Sequence, residues 1–172
     1  MSNKSKNKGK SFEREVCQLF NKITGLSWVR VPNSGAFIGG NNAFRIQQLS
    51  DQQVLLTRGD IIPPEEFQHM MIECKARKEF QFHQLFEQNK EFESWIDQVE
   101  VDLQASNAKC PLIIFKPNRR GLYIAGLYDQ LNKNVTHGNR LHYEYNDKIW
   151  VIFKLTEEWL IANIKLLEEL SS

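Results

Sequence analysis

The chain has no C-x-x-C pair, no long apolar run, no internal repeat and almost no net charge, and each absence removes a class of function. Its three cysteines, Cys17, Cys74 and Cys110, are widely spaced, odd in number and set in apolar surroundings. They read as buried, reduced thiols of a cytosolic protein, not as a zinc or redox site. His69, His83, His137 and His142 show no metal-ligand spacing with those cysteines, which again argues against zinc. No segment approaches the ~20 apolar residues that span a bilayer, and no apolar region follows the lysine-rich start. Neither an anchor nor a signal peptide is expected, and the chain reads as soluble and cytoplasmic.

What is present is one domain's worth of sequence. At 172 residues the chain is long enough to bury a substantial core. Lys and Arg total 22 against 21 Asp and Glu. Lys4, Lys6, Lys8 and Lys10 lie in an acid-free start, so 22 − 4 = 18 bases face 21 acids in the remainder. A nucleic-acid partner would therefore be met by local patches and by a mobile basic arm that includes Lys8 and Lys10, each neutralised phosphate adding salt dependence. Residues 1–10 are expected to be a disordered basic tail, alternatively a merely solubilising one. Residues 11–172 are expected to form a single domain with a loop insertion near 32–58.

The most informative stretch is Gly59-Asp60-Ile61-Ile62-Pro63-Pro64, followed by Met70-Met71-Ile72-Glu73-Cys74-Lys75. The prolines cannot prolong a central strand, so the pattern predicts two short strands joined by a turn. Alternation along the second strand puts Glu73 and Lys75 on one face, and Ile72 and Cys74 on the other. If the strands pair, Asp60 and Glu73 converge, and two adjacent carboxylates repel unless a cation or proton intervenes. Hard oxygen ligands of this kind suit Mg²⁺, which takes only one or two protein carboxylates and keeps several waters. Lys75 would stand beside them, placed to stabilise charge developing on a phosphate.

Asp60 followed by Glu73-Cys74-Lys75 resembles the PD-(D/E)XK nuclease superfamily, whose signature is an acid at one strand end and (D/E)-x-K on the next. Gly59 stands where the motif usually has proline. The resemblance implies an α/β fold with a restriction-endonuclease-like core, a central mixed β-sheet flanked by helices. It also implies a metal site formed by Asp60, Glu73 and the backbone carbonyl of Cys74, with Mg²⁺ as the cofactor and Mn²⁺ able to substitute.

The N-terminal half extends the likeness. Phe12, Val16, Leu19, Phe20 and Ile23 follow a helical repeat that Gly25 ends, with Ser11 as its expected N-cap. Glu13 lies off this apolar stripe, where a surface acid complementing the helix dipole is the ordinary reading. Yet Lys8-Gly9-Lys10-Ser11-Phe12-Glu13-Arg14-Glu15 is similar to the opening of archaeal-type Holliday-junction resolvases, in which the first-helix glutamate joins the metal site. A β-rich run, Trp28 to Val31, then leads into Pro32-Asn33-Ser34-Gly35-Ala36 and Gly39-Gly40, a loop bracketed by Arg30 and Arg45. The resolvases carry an arginine and a serine-glycine loop at this point. The likeness gives Arg30 a phosphate and Ser34 a place near the scissile bond; without it, Arg30 pairs with an acid and Ser34 makes a turn. Small resolvase-like nucleases encoded by phages resemble the first two thirds of the chain more closely still.

Beyond Lys75, Arg77 and Lys78 are either DNA-backbone contacts or an ordinary basic strand exit. Phe80, Phe82, Leu85 and Phe86 are expected to cover the sheet. Residues 91–107 read as a helix with Phe92, Trp95, Ile96, Val99 and Leu103 on its apolar face. Superfamily members often carry a glutamine on this helix, and Gln98 or Gln84 could fill the place. Pro111 to Phe115 reads as a strand buried on both faces. Lys116 to Gly121 makes a basic turn in which Arg119 and Arg120 are candidate phosphate ligands, or a solvated hairpin tip. Strands at Leu141–Tyr145 and Trp150–Phe153 precede a final helix capped by Thr156, whose stripe of Leu160, Ile161, Ile164, Leu167 and Leu170 serves the core or a dimer surface.

The resemblance as a whole implies a Mg²⁺-dependent endonuclease acting on branched DNA as a Holliday-junction resolvase, in the cytoplasm of a bacterial or phage-infected cell. Glu13, Asp60, Glu73 and Lys75 would be its catalytic residues. Paired incision of a junction implies a homodimer; neither a membrane nor a small-molecule substrate is expected. The competing readings are a general or restriction-like nuclease with the same site, and an inactive nucleic-acid-binding protein on the same fold.

Overall fold

The computed structural model describes residues 3–32, 59–131, 135 and 138–172, with side chains from residue 7 onward. Ser34 and residues 33–58 of the expected insertion lie outside the described residues.

Helix α1 (Asn3–Thr24) buries Phe12, Val16 and Phe20, the stripe expected from the spacing. It stops where Gly25 takes a φ of 71° and donates its N–H to the Asn21 carbonyl at 2.9 Å, a left-handed ending that glycine adopts without a Cβ penalty. Its start corrects the sequence reading: Ser11 lies inside the helix, and the lysine segment expected to be disordered is helical back to Asn3. Lysine is a good helix former, and a helix nucleated by the buried stripe gains one hydrogen bond for each residue added. Lys8 is also anchored, its Nζ donating to Asn118 Oδ1 at 2.6 Å.

The strands are β1 (Val29–Arg30), β2 (Ile61–Ile62), β3 (Met70–Arg77), β4 (Cys110–Pro117), β5 (Leu122–Leu127), β6 (Arg140–Tyr145) and β7 (Lys148–Leu155). They form one sheet in the order β1-β2-β3-β4-β5-β7-β6. Among the described strands only β3 and β4 pair in parallel, and parallel neighbours need a crossover. Helix α2 (Lys90–Gln104) supplies it, its N-terminus capped by Asn89, whose side chain accepts from the Phe92 N–H. A short helix α3 (Tyr128–Leu131) follows β5. Helix α4 (Glu157–Ser171) closes the chain with Thr156 as its cap, as the sequence indicated.

Alternation along β4 explains why the sheet is covered on both sides. Leu112 and Ile114 pack with Phe12, Val16, Phe20, Leu160 and Leu167 from α1 and α4, whereas Ile113 and Phe115 pack with Trp95, Ile96 and Val99 from α2. The result is the mixed sheet between helices of an α/β, restriction-endonuclease-like fold. Phe115 sits at the centre of an aromatic cluster, its ring centroid 5.0 Å from Phe80, 5.5 Å from Trp95 and 5.2 Å from Tyr123. Truncating such a residue to alanine costs about 3–5 kcal/mol. Two of the apolar residues expected to pack lie outside these layers. Phe86, expected over the sheet, is 79% exposed, and Ile161 is turned outward on α4 while Leu160 is buried, one residue being about 100° around a helix.

Candidate active site

The site forms where β2 parts from β3. Ile61 pairs with Ile72, the Asp60 N–H donates to the Ile72 carbonyl at 2.8 Å, and the Asp60 carboxylate then turns into the gap. There Oδ2 accepts the Cys74 N–H at 2.8 Å. Gly59 makes this turn possible with a φ of 70°, and a Cβ at that position would lie 2.7 Å from the Ile72 carbonyl oxygen. Where the motif usually has proline, this backbone admits only glycine, because proline is fixed near a φ of −65°.

On β3, Glu73 and Lys75 point to the same face, towards α2. Lys75 Nζ donates to Glu73 Oε1 and to Gln98 Oε1, each at 2.7 Å, and Gln98 Nε2 donates to the same Glu73 oxygen at 2.9 Å. The closed triangle orients all three side chains. One strand step on, Arg77 Nε donates to Glu91 at 2.6 Å, and its guanidinium lies 5.3 Å from the Trp95 ring centroid. Thus Glu91, Trp95 and Gln98, spaced at helical intervals on α2, meet alternate residues of β3. Strand β3 runs on to Arg77, beyond the end expected at Lys75, because its parallel register with β4 persists to Arg77 and Pro117.

Glu13 reaches the same region from α1, held by Arg30, whose guanidinium donates to Glu13 Oε2 at 3.1 Å and to the Val31 carbonyl at 3.0 Å. Glu13, Asp60 and Glu73 are all buried. Burial, reinforced by the charge of Asp60, raises the Glu13 carboxyl above its ordinary range. The same two causes, against the opposing pull of Lys75, push Glu73 up to about 7. Burial likewise raises the Cys17 thiol to about 11 and Cys110 to about 12, and with the nearby carboxylates it raises Cys74. All three cysteines are free thiols, as their spacing suggested.

Buried acids, two of them raised by the charge of Asp60, form an oxygen-donor set suited to a hard cation. Among the described residues no three His, Cys, Asp or Glu side chains are grouped tightly enough to hold an ion by themselves. Mg²⁺ does not require three, since it commonly takes one or two carboxylates and completes its shell with water and substrate oxygens. The residues therefore fit such an ion.

Residues 4–171 match the family described as "Phage putative PDDEXK endonuclease". The chain belongs to that family. It is also 30% identical over 164 residues to Protein D14 of Escherichia phage T5, with 91% of each chain covered. No solved structure matches it. Membership makes the chain a nuclease of the PD-(D/E)XK type, a class that generally uses divalent metals and binds DNA. Among the described residues no helix is long and apolar enough to cross a membrane.

Of the residues singled out from sequence, Glu13, Arg30, Asp60, Glu73, Cys74 and Lys75 are brought together at the parting of β2 and β3. Gln98 joins them, whereas Gln84 is exposed in the turn before α2. The 91, 95, 98 spacing on α2 could have selected Gln98 in advance. Arg30 is paired with an acid, the plainer of its two readings, and Arg77 is tied to Glu91 and Trp95. Lys78, Arg119 and Arg120 are exposed at the far ends of β3 and β4. Lys10 is exposed on α1, near enough for its charge to oppose the rise at Glu13.

Proposed function

We propose that the chain is a Mg²⁺-dependent endodeoxyribonuclease that cuts branched DNA, with a Holliday junction as its substrate and Mn²⁺ able to substitute. The observation that carries the catalytic reading is the pair of buried carboxylates, Asp60 and Glu73, with Lys75 Nζ 2.7 Å from the latter. Asp60 and Glu73 would hold the ion. The Cys74 carbonyl would join them: the N–H and C=O of one strand residue point to the same side, and the Cys74 N–H already faces Asp60. When bound, the ion would neutralise phosphate charge and lower the pKa of water.

The chain's own residues do the positioning. Asp60 is fixed by the Cys74 amide, and Glu73 and Lys75 by Gln98, so little reorganisation is needed when substrate arrives. Lys75 donates to the phosphate oxygen on which charge develops. Water attacks phosphorus and gives up a proton to solvent, the bond to the leaving sugar oxygen breaks, and that oxygen takes up a proton from solvent. Glu13 would support the ion or orient water, with Arg30 holding Glu13 and available to a phosphate once released.

Branch preference rests on the likeness of residues 8–15 and of the Arg30-to-Asp60 segment to resolvases. Paired cuts across a four-way junction would require a homodimer, and a phage enzyme of this kind would work in the host cytoplasm. Side-by-side cleavage of four-way, flap and linear DNA with Mg²⁺ tests the proposal. Preferential cutting of the four-way substrate supports it. Equal rates on all three point instead to a general nuclease, and DNA binding without cleavage under any divalent ion points to an inactive binding protein.

A further inference from the structure

Where β3 and β4 leave the sheet, a cleft of about 520 Å³ opens between Lys78 and Gln81 on one side and Asn118, Arg119 and Arg120 on the other. Its two walls are tied together, the Asn118 N–H donating to the Arg77 carbonyl at 3.0 Å. Lys8 of α1 donates to the Asn118 side chain at 2.6 Å, which brings the basic start of α1 against the same turn. The cleft is cationic, its one carboxylate, Glu79, standing 3.9 Å from Lys78. Among the described residues Arg119 and Arg120 make no ion pair, although Arg30, Arg77, Lys116 and Lys148 each have a carboxylate partner. Arg119 is held at a φ of 61°, a conformation that non-glycine residues adopt uncommonly. Two unpaired guanidiniums on a constrained turn, facing a lysine across a cleft, suit oxyanions better than any other ligand class.

We infer that this cleft binds the sugar-phosphate backbone of the DNA substrate, apart from the catalytic centre. The inference rests on the nuclease reading above. Lys78 lies one residue past the end of β3 and three beyond Lys75, at most roughly 10 Å along the chain. At that separation the phosphate held in the cleft belongs to a nucleotide close to the one that is cut, within about three of it. Contacts there carry no base information and set the register of the strand on the enzyme.

The test is equilibrium binding of a fluorescein-labelled four-way junction in EDTA across a salt series, with the full chain. In Arg119→Asn/Arg120→Gln the charges are lost while asparagine still accepts the left-handed backbone. Each lost phosphate contact lowers the salt slope by about 0.9, so two lower it by about 1.8. Between 50 and 200 mM salt the wild type should then lose about twelvefold more affinity than the variant, by the same relation. Lys78→Gln, at a highly exposed position, is the second variant and should lower the slope by about 0.9. Lys165→Gln, exposed on α4, controls for generic charge and should leave the slope unchanged. A methylphosphonate scanned over the nucleotides next to the cut should, at one position, weaken the wild type and not the double variant. If the wild type binds and cuts DNA while both cleft variants keep its slope, the cleft assignment fails alone. A wild type that neither binds nor cuts overturns the nuclease reading with it.

Discussion

Gln98 on α2 and Lys75 on β3 are joined side chain to side chain at 2.7 Å, and the same glutamine donates to Glu73 at 2.9 Å. Helix α2 thereby contributes a polar group to a site otherwise drawn from α1, β1, β3 and the turn into β2. The acceptor end of its amide meets the amine and the donor end meets the acid, so one side chain fixes both partners.

Gln98→Ala should therefore impair turnover more than binding. Losing two hydrogen bonds to charged groups costs about 1–3 kcal/mol, a fall of roughly 5- to 150-fold in single-turnover cleavage. Affinity for the junction, measured in EDTA, should change less than twofold. A loss confined to affinity, with turnover intact, would make Gln98 a DNA contact and not a positioning residue.

Asp60→Asn is expected to abolish cleavage while leaving the fold intact. The asparagine carbonyl oxygen can still accept the Cys74 N–H, so the turn from Gly59 into β2 keeps its anchor. Removing the charge also relieves Glu13 and Glu73, whose carboxyls Asp60 helps to raise. The variant should melt no lower than the wild type and still bind DNA. Cleavage at the wild-type rate would remove Asp60 from the site.

Restoring the superfamily's usual residue should do harm. Gly59→Pro places a ring where φ is 70° and where a Cβ meets the Ile72 carbonyl oxygen at 2.7 Å. Gly59→Ala meets the same oxygen and costs about 1–2 kcal/mol for the left-handed backbone alone. Both should lower the thermal midpoint, proline more than alanine. Equal stability of Gly59→Pro and wild type would mean that this turn is not required.

Much of this site was legible before any coordinates, because strand alternation and an acid-x-lysine spacing are local. Asp60 comes beside the Glu73-Cys74-Lys75 strand because a two-residue β2 folded back by Pro63-Pro64 leaves few ways to pair with β3. The double burial of β4 was equally plain from Pro111 to Phe115, an apolar run too short for a helix. Harder were the features set by distant partners. Nothing near Arg77 in sequence reveals that Glu91 and Trp95 will take its guanidinium. A lysine-rich segment with no apolar residue after Met1 gave no sign of the helix that α1 continues through it. Phe86 was misplaced because hydrophobicity alone does not say which aromatic of a cluster turns outward.

The raised carboxyl of Glu73 gives the metal-free protein a pH dependence of definite sign. An unfolded chain releases this proton near pH 4.5, whereas the native one keeps it until about 7. Across that window the native state binds more protons than the unfolded state, so stability falls as pH rises. The contribution is full below about 4.5 and gone above about 7, amounting to about 3 kcal/mol at most. Glu73→Gln lacks the titration, so in EDTA its thermal midpoint should decline less than that of the wild type between pH 5 and pH 7.5. Mg²⁺ should raise the wild-type midpoint more at the upper pH, where the acids it needs are ionised, and should do little for the variant. Parallel pH profiles in EDTA would show that Glu73 is ionised throughout, and that Lys75 alone compensates its charge.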